Sequence, residues 1–488
     1  MTDPTLSSQS GPVENPAGSV VRQTVDLIVV LCLGVLLFRT FSAEAYVVPT
    51  GSMAPTLLGH HRELTCPNCG FLFVNGVDED GRSPRPVCPN CGKTELDRLP
   101  AVECNGDRVL VQKFLYDFRP PRRWEVAVFH FPGEPTQAYV KRVVGLPGES
   151  VRIVGGNVFI NGQIARKSRE ELRGMQILVH DGRFTPGDSD RYPRFFFLRG
   201  WPRHQLPSGW EHTACGFVHK PVAPVEGSLE PEDWLVYRHW DPVLNRYGPV
   251  RDDYAYNGAD LEADNIVPDL ALEARLTVGP DVETISVRIR SGADRFVVRI
   301  PVRGQGKLEV ARNERRRHVQ PLENALDDEG QGPWPRVVSL EASVVDHRLA
   351  AFLDGRPLFA PLDYDDPATG PPADASPIAL GVRGGTMTVS DLKLYRDVYY
   401  TSTLGGPPRH AYGVSEPYRL NDDEYYVLGD NSPVSNDSRF WAASPVVPRS
   451  MFLGKPFLVH LPGQVVALEV FGRSVYWVPD PRRIRYIH

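Results

Sequence analysis

The sequence predicts a mainly β chain with an N-terminal transmembrane helix and two inserted units, and three observations carry that reading. Gly and Pro number 43 and 46 among 488 residues, about 18% against a norm of ~12%, which marks a turn-rich chain. An uninterrupted apolar run of 12 residues stands near the N-terminus, and strand-like alternation dominates the second half. Four of the seven cysteines fall between positions 66 and 91, so they serve a local site and not a disulfide scaffold. At roughly 150 residues per domain the length suggests about three domains. The net charge of −6 has the wrong sign for a general nucleic-acid binder and excludes that class.

Residues 1–19 are polar and rich in Pro, Ser and Gly, which predicts a disordered tail. Residues 20–41 follow as a membrane anchor. Their apolar centre, 27–38 (LIVVLCLGVLLF), is short of the roughly 20 residues a span needs unless Arg22, Asp26 and Arg39 reach the interfaces. Ala43-Glu44-Ala45 also has the small-x-small pattern of a cleavable signal peptide, yet the long, non-basic stretch before it favours a retained anchor. The weak charge asymmetry leaves orientation open.

Three segments carry the chemistry. In 46–57 (YVVPTGSMAPTL), Pro49 and Gly51 bracket a turn with Ser52 at its tip. In 137–149 (QAYVKRVVGLPGE), Lys141 lies in an apolar strand. Desolvation there lowers its pKa, and the neutral amine can take a proton from a serine hydroxyl. In 425–441, an apolar strand runs into a loop dense with small polar residues, a source of hydroxyls to orient an amine and of a carboxylate and guanidinium to brace the loop.

These segments resemble the nucleophile, lysine and third boxes of type I signal peptidases, membrane-anchored Ser–Lys endopeptidases. PTGSMAPTL, VKRVVGLPGE and GDNSPVSNDSR appear in the family's order, with GDRVLVQKF between the first two. The resemblance implies a β-rich catalytic fold in three parts (42–60, 105–164 and 413–488), with Ser52 as nucleophile and Lys141 as general base. It also implies an oxyanion hole from the Ser52 N–H and the Thr50 hydroxyl. Ser435 would hydrogen-bond the lysine amine, Asp437 and Arg439 would pair, and Asp430 would support the site. The implied reaction is cleavage of signal peptides from secretory preproteins after small residues. No catalytic cofactor is needed. The implied location is the cell membrane, single-pass, with the catalytic domain extracytoplasmic and membrane lipid as a further partner. His60 and His61 belong to no box and read as loop residues.

Ser52 and Lys141 stand 89 positions apart, which implies an insertion at 61–104. There Cys66, Cys69, Cys88 and Cys91 form two CPNCG knuckles, a pattern similar to zinc ribbons and suited to one structural Zn²⁺. Oxidation to disulfides is the alternative in an extracytoplasmic domain. The ribbon holds five basic against seven acidic residues, which excludes nucleic-acid binding. A second insertion, 165–412, opens with a short helix at 166–174 and continues as strands. LAAFLDGRPLF and ALGVRGGTMTVSDLKLY resemble concanavalin-A or laminin-G jelly rolls, which imply a β-sandwich that binds sugar or packs on a neighbour. Within it, 312–317 (RNERRR) reads as a solvated loop, and Trp201, Trp210, Trp234 and Trp240 read as core or interface anchors. Cys104 and Cys215 are either buried thiols or a pair. The competing function is a membrane-anchored surface binding protein, for carbohydrate or protein, with a vestigial peptidase domain. Intact Ser52, Lys141 and Ser435 speak against it.

Overall fold

The computed structural model describes residues 16–41, 43–78, 80–187, 193–199, 206–213, 216–223, 232–259, 265–302, 305–323, 334–368, 375–402, 411–442, 444–461, 465–470, 473–479 and 483–487. Strands dominate, as the turn-rich composition requires. Pro16–Phe41 is one α-helix, so helix begins inside the stretch expected to be an unstructured tail. Residues 1–15 lie outside the described ones. Residues 22–34 of the helix are exposed. Among the described residues no helix is long and apolar enough to cross a membrane.

The site is carried by an eight-stranded sheet. Its order is Ala43–Val47, Arg108–Gln112, Phe452–Leu461, Val126–Phe131, Glu134–Gly145, Glu424–Leu428 and Val447–Pro448, with Arg485–Tyr486 paired to Phe452–Leu461. Successive side chains of a strand face opposite ways, and Val126–Phe131 uses both directions. Val126 and Val128 join a core with Met53, Leu57 and Val111, while Ala127 and Phe129 join another with Trp441 and Tyr425. Cores on both faces fix this strand and its partner Glu134–Gly145, which holds Lys141 opposite Ala127.

The cysteine insertion is a three-stranded sheet of Leu72–Gly76, His61–Thr65 and Val102–Cys104. Cys104 is a buried thiol, and Cys215 lies outside the described residues. The large insertion is a sandwich of a nine-stranded and a seven-stranded sheet. Its core takes Leu272, Leu276 and Val344 from one sheet and Ile285, Val287 and Ile289 from the other. Expected boundaries of 165–412 narrow to a sandwich running from Ile177–Asp181 to Met387–Arg396. These outgoing and returning strands pair directly, Ile177 opposite Arg396. The ends of the insertion therefore sit side by side, which lets the host fold keep its own geometry. The expected short helix forms as Arg169–Arg173, with a capping box from Ser168 and Glu171.

Residues 284–290, where polar and apolar side chains alternate, form strand Val282–Ser291. Its polar side, with Ser286 and Arg288 buried, is roofed by Trp234, whose ring lies 4.8 Å from the Arg288 guanidinium. Trp210 and Trp240 are also buried, while Trp201 lies outside the described residues. The basic run is not wholly solvated either. Arg312 is buried and pairs with Asp294 at 2.8 Å, and only its neighbours 313–317 are exposed, around the hairpin turn.

Candidate active site

The turn that carries Ser52 is locked from below. Val48 N–H donates to the Asp107 carbonyl at 2.9 Å, Ala54 N–H to Gly51 at 3.0 Å and Leu57 N–H to Met53 at 2.9 Å. Met53 and Leu57 are fully buried plugs. Thr50 is extended (φ −109°, ψ 155°) and leads into the 3-10 turn Gly51–Met53. With Met53 turned into the core, Ser52 presents its hydroxyl towards Lys141.

Lys141 Nζ lies 2.7 Å from Ser52 Oγ and donates to the Val140 carbonyl at 3.2 Å. The lysine is only 4% exposed. Burial takes its pKa down from the usual 10.5 to about 8, while Asp437 and Asp430 pull it up and Arg439 pushes it down. A substantial fraction of the amine is thus neutral near pH 8, with a serine hydroxyl in reach of its lone pair. Thr50 Oγ1 stands 3.5 Å from Ser52 Oγ, on the same side of the turn.

The third loop braces the pair. Asp437 and Arg439 form a fully buried two-pronged ion pair of 2.8 and 2.9 Å. Asp437 also accepts from Gly429 N–H at 3.0 Å, and Arg439 donates to the Thr401 carbonyl at 2.7 Å and to Ser432 Oγ at 2.8 Å. Gly429 has no room for a side chain, since a Cβ there would stand 2.1 Å from Ser435 Oγ and 2.5 Å from the Ser52 carbonyl oxygen. Asp430 does not touch the lysine. It receives Arg142 Nε at 2.7 Å and the second Arg142 nitrogen at 2.6 Å, with Thr56 donating to the same carboxylate.

Ser435 departs from its expected role. It is fully buried close to Ser52, but its hydroxyl has no hydrogen-bond partner, because the amine is turned to Ser52 Oγ and the Val140 carbonyl instead. Arg142 and Asn431 were not singled out by sequence reasoning, although each adjoins a residue that was. Asn431 donates its side-chain amide to the Gly51 carbonyl at 3.0 Å and its backbone N–H to the Ser52 carbonyl at 3.1 Å. His60 and His61 stay outside the site. His61 is buried at a strand start with Nδ1 2.7 Å from the Gly59 carbonyl, and His60 lies beside Glu103.

The four knuckle cysteines converge. Cys66 and Cys91 sulfurs are 3.5 Å apart and those of Cys69 and Cys88 3.7 Å, and all four lie within 4.8 Å of one another. A tetrahedral ion with bonds of about 2.3 Å to sulfur needs sulfurs about 3.8 Å apart, so the set fits a metal ion. The knuckles repeat each other, Gly70 N–H bonding Cys66 at 2.8 Å and Gly92 N–H bonding Cys88 at 2.9 Å. Asn68 and Asn90 point amide nitrogens at the sulfurs of Cys91 and Cys69. The Cys88 thiol is pushed up by hydrogen bonds to the other three, and a cation is what would let all four ionise together.

A buried amine within hydrogen-bond reach of a turn serine is the arrangement of a serine–lysine nucleophile pair. The family model for signal peptidase, peptidase S26, matches residues 100–190 and 383–461, spans that include Lys141 and the third loop but not Ser52. Signal peptidase I of Leptolyngbya laminosa is 34% identical over 171 residues, 33% of this chain and 59% of that protein. A probable signal peptidase I-2 of Synechocystis is 27% identical over 34% of this chain and 56% of its own length. Signal peptidase I of Bacillus caldolyticus is 31% identical over 29% of this chain and 74% of its own length. The chain belongs to the signal peptidase I family. It spans between half and two thirds of the first two relatives.

Proposed function

We propose that the protein is a membrane-tethered Ser–Lys endopeptidase that removes signal peptides from secretory preproteins after small residues. The observation that carries this reading is the 2.7 Å approach of a buried Lys141 amine to Ser52 Oγ. With the amine neutral, Ser52 O–H donates to Nζ as its oxygen attacks the scissile carbonyl. The developing oxyanion is received by the Ser52 backbone N–H and the Thr50 hydroxyl. The protonated amine then gives its proton to the leaving nitrogen, and an acyl-enzyme remains on Ser52. The same amine next takes a proton from water, which releases the second product and restores the serine. Asp437 with Arg439 braces the third loop, and Asp430 with Arg142 ties that loop to the strand that carries Lys141. Side chains small enough for shallow pockets at the first and third positions before the cut would define the substrate.

Cys66, Cys69, Cys88 and Cys91 would hold one Zn²⁺, which ties the ribbon together and takes no part in the reaction, since four thiolates leave no open position. The helix Pro16–Phe41 would place the catalytic sheet at the outer face of the cell membrane.

The test is incubation of the detergent-solubilised protein with a preprotein bearing an A-x-A site. Cleavage after the second alanine is expected. Because the two residues act as one unit, Ser52→Ala and Lys141→Ala should each lower kcat by on the order of a thousandfold or more. Substantial turnover by either variant overturns the assignment.

A further inference from the structure

The inserted sandwich returns one turn to the peptidase site. Ala255–Asn257 is a 3-10 turn lodged between ribbon strand Leu72–Gly76 and the nucleophile turn. Tyr256 donates its hydroxyl to the His60 carbonyl at 2.7 Å. Its ring covers Gly51 so closely that a Cβ there would stand 2.0 Å from a ring carbon, and a Cβ at Gly76 would stand 2.4 Å from the same atom. The next residue, Asn257, meets Asn431 in a closed amide pair, each Nδ2 donating to the other's Oδ1 at 2.8 Å. Both asparagines are buried.

The pair bears on one peptide unit. Asn431 gives its other Nδ2 hydrogen to the Gly51 carbonyl at 3.0 Å. In a planar trans peptide the carbonyl and the following N–H point in opposite directions, so the bond that holds Gly51 oxygen also sets the direction of the Ser52 N–H. An asparagine amide held only through Nδ2 can turn over and set its oxygen against the Gly51 carbonyl. Asn257 opposes this, because turning Asn431 alone would set nitrogen against nitrogen and oxygen against oxygen, and the Gly51 carbonyl selects between the two concerted orientations of the pair.

We infer that Asn257 is a positioning residue which, by gripping the Asn431 amide, aims the Ser52 backbone N–H at the oxyanion, so that the sandwich insertion completes the peptidase site. The catalytic half of this inference rests on the Ser–Lys reading; the structural half does not. The insertion is then a working part of the enzyme, and a peptidase with the same boxes but a displaced sandwich would lose rate while still binding substrate.

Two measurements on the full-length protein in detergent separate these halves. Hydrogen exchange of the segment 47–57 reads the positioning alone. Asn257→Ala should speed exchange at positions 51–53 by about tenfold, since the turn loses its outer clamp. Kinetics on the A-x-A preprotein read the consequence. Removal of a whole oxyanion donor costs about 10²–10³ in kcat, and misdirecting one should cost on the order of tenfold. KM and the acid limb of the pH profile should not move, because the donor acts in the transition state and not on the lysine. Asn257→Asp, which retains acceptors and loses the donor, should fall between the parent and Asn257→Ala. Asn257→Ala combined with Asn431→Ala should be no slower than Asn431→Ala alone. Unchanged exchange with kcat within twofold of the parent overturns the inference. So does a loss carried by KM, or losses that multiply in the double variant. If the parent itself leaves the preprotein intact, the Ser–Lys reading is what fails, and the exchange result alone decides whether Asn257 holds the turn.

Discussion

Lys141 shows how one residue couples function to instability. Its pKa falls from 10.5 to about 8, chiefly through burial, so between those values the unfolded chain binds the extra proton and stability rises with pH. Below about pH 8 both states are protonated and the cost is constant, on the order of 3 kcal/mol at ~1.4 kcal/mol per pKa unit. Lys141→Met should therefore be more stable than the parent at pH 7, with the advantage fading towards pH 10; thermal denaturation across that range reads it, and a less stable variant at pH 7 contradicts the burial argument. Activity follows the same proton with the opposite emphasis. It should climb as pH rises through about 8 and vanish in acid, whereas an acid optimum would point to a protonated lysine as the working form. Arg142 makes a complementary case, since its ion pair with Asp430 is fully buried. Arg142→Met leaves a buried carboxylate without its counter-charge and should cost about 3–5 kcal/mol in a urea titration.

At the level of elements, legibility followed from how local the signal was. The cysteine cluster was readable because a four-sulfur site needs two knuckles of fixed spacing, and each knuckle is contiguous in the chain: Cys66 to Cys69 and Cys88 to Cys91 enclose the same Pro-Asn pair, four intervening positions in all. The catalytic boxes were readable for the same reason, each being one turn or one strand. Ser435 was expected to hydrogen-bond the Lys141 amine, but its hydroxyl has no hydrogen-bond partner, since such a bond depends on where the amine points, which no single segment encodes. Asn257 was invisible, since its meaning arises only when a turn of the sandwich meets residue 431, a partner 174 positions away. Replacing Cys66 or Cys91 should remove bound zinc and lower the melting temperature of the ribbon, with only partial loss of peptidase activity, because no ligand touches Ser52 or Lys141. Metal analysis should find close to one zinc per chain in the parent. Absence of metal together with disulfides among the four cysteines in mass spectrometry contradicts the zinc reading.

On the proposed reading the whole molecule places its sheet against a membrane, and the strand that follows the N-terminal helix bears on how. The sequence around Ala43-Glu44-Ala45 resembles a processing site, yet Ala43–Val47 is an edge strand of the catalytic sheet, paired with Arg108–Gln112 from Ala43 opposite Gln112 to Val47 opposite Arg108. A cut after Ala45 would sever that strand, and Ala43 is buried in it. Strand pairing thus argues for retention of the helix Pro16–Phe41, which at 1.5 Å per residue is about 39 Å long. That exceeds the ~30 Å hydrocarbon layer. On the proposed reading Arg22 and Asp26 on one side and Arg39 on the other mark where the interfaces would fall. The expected outcome is a protein that stays with membranes in alkaline carbonate and whose N-terminal sequence precedes the helix. Release by carbonate overturns the anchor, and a sequence beginning at Tyr46 shows that the first half of the edge strand is dispensable and that cleavage at Ala45 is part of maturation.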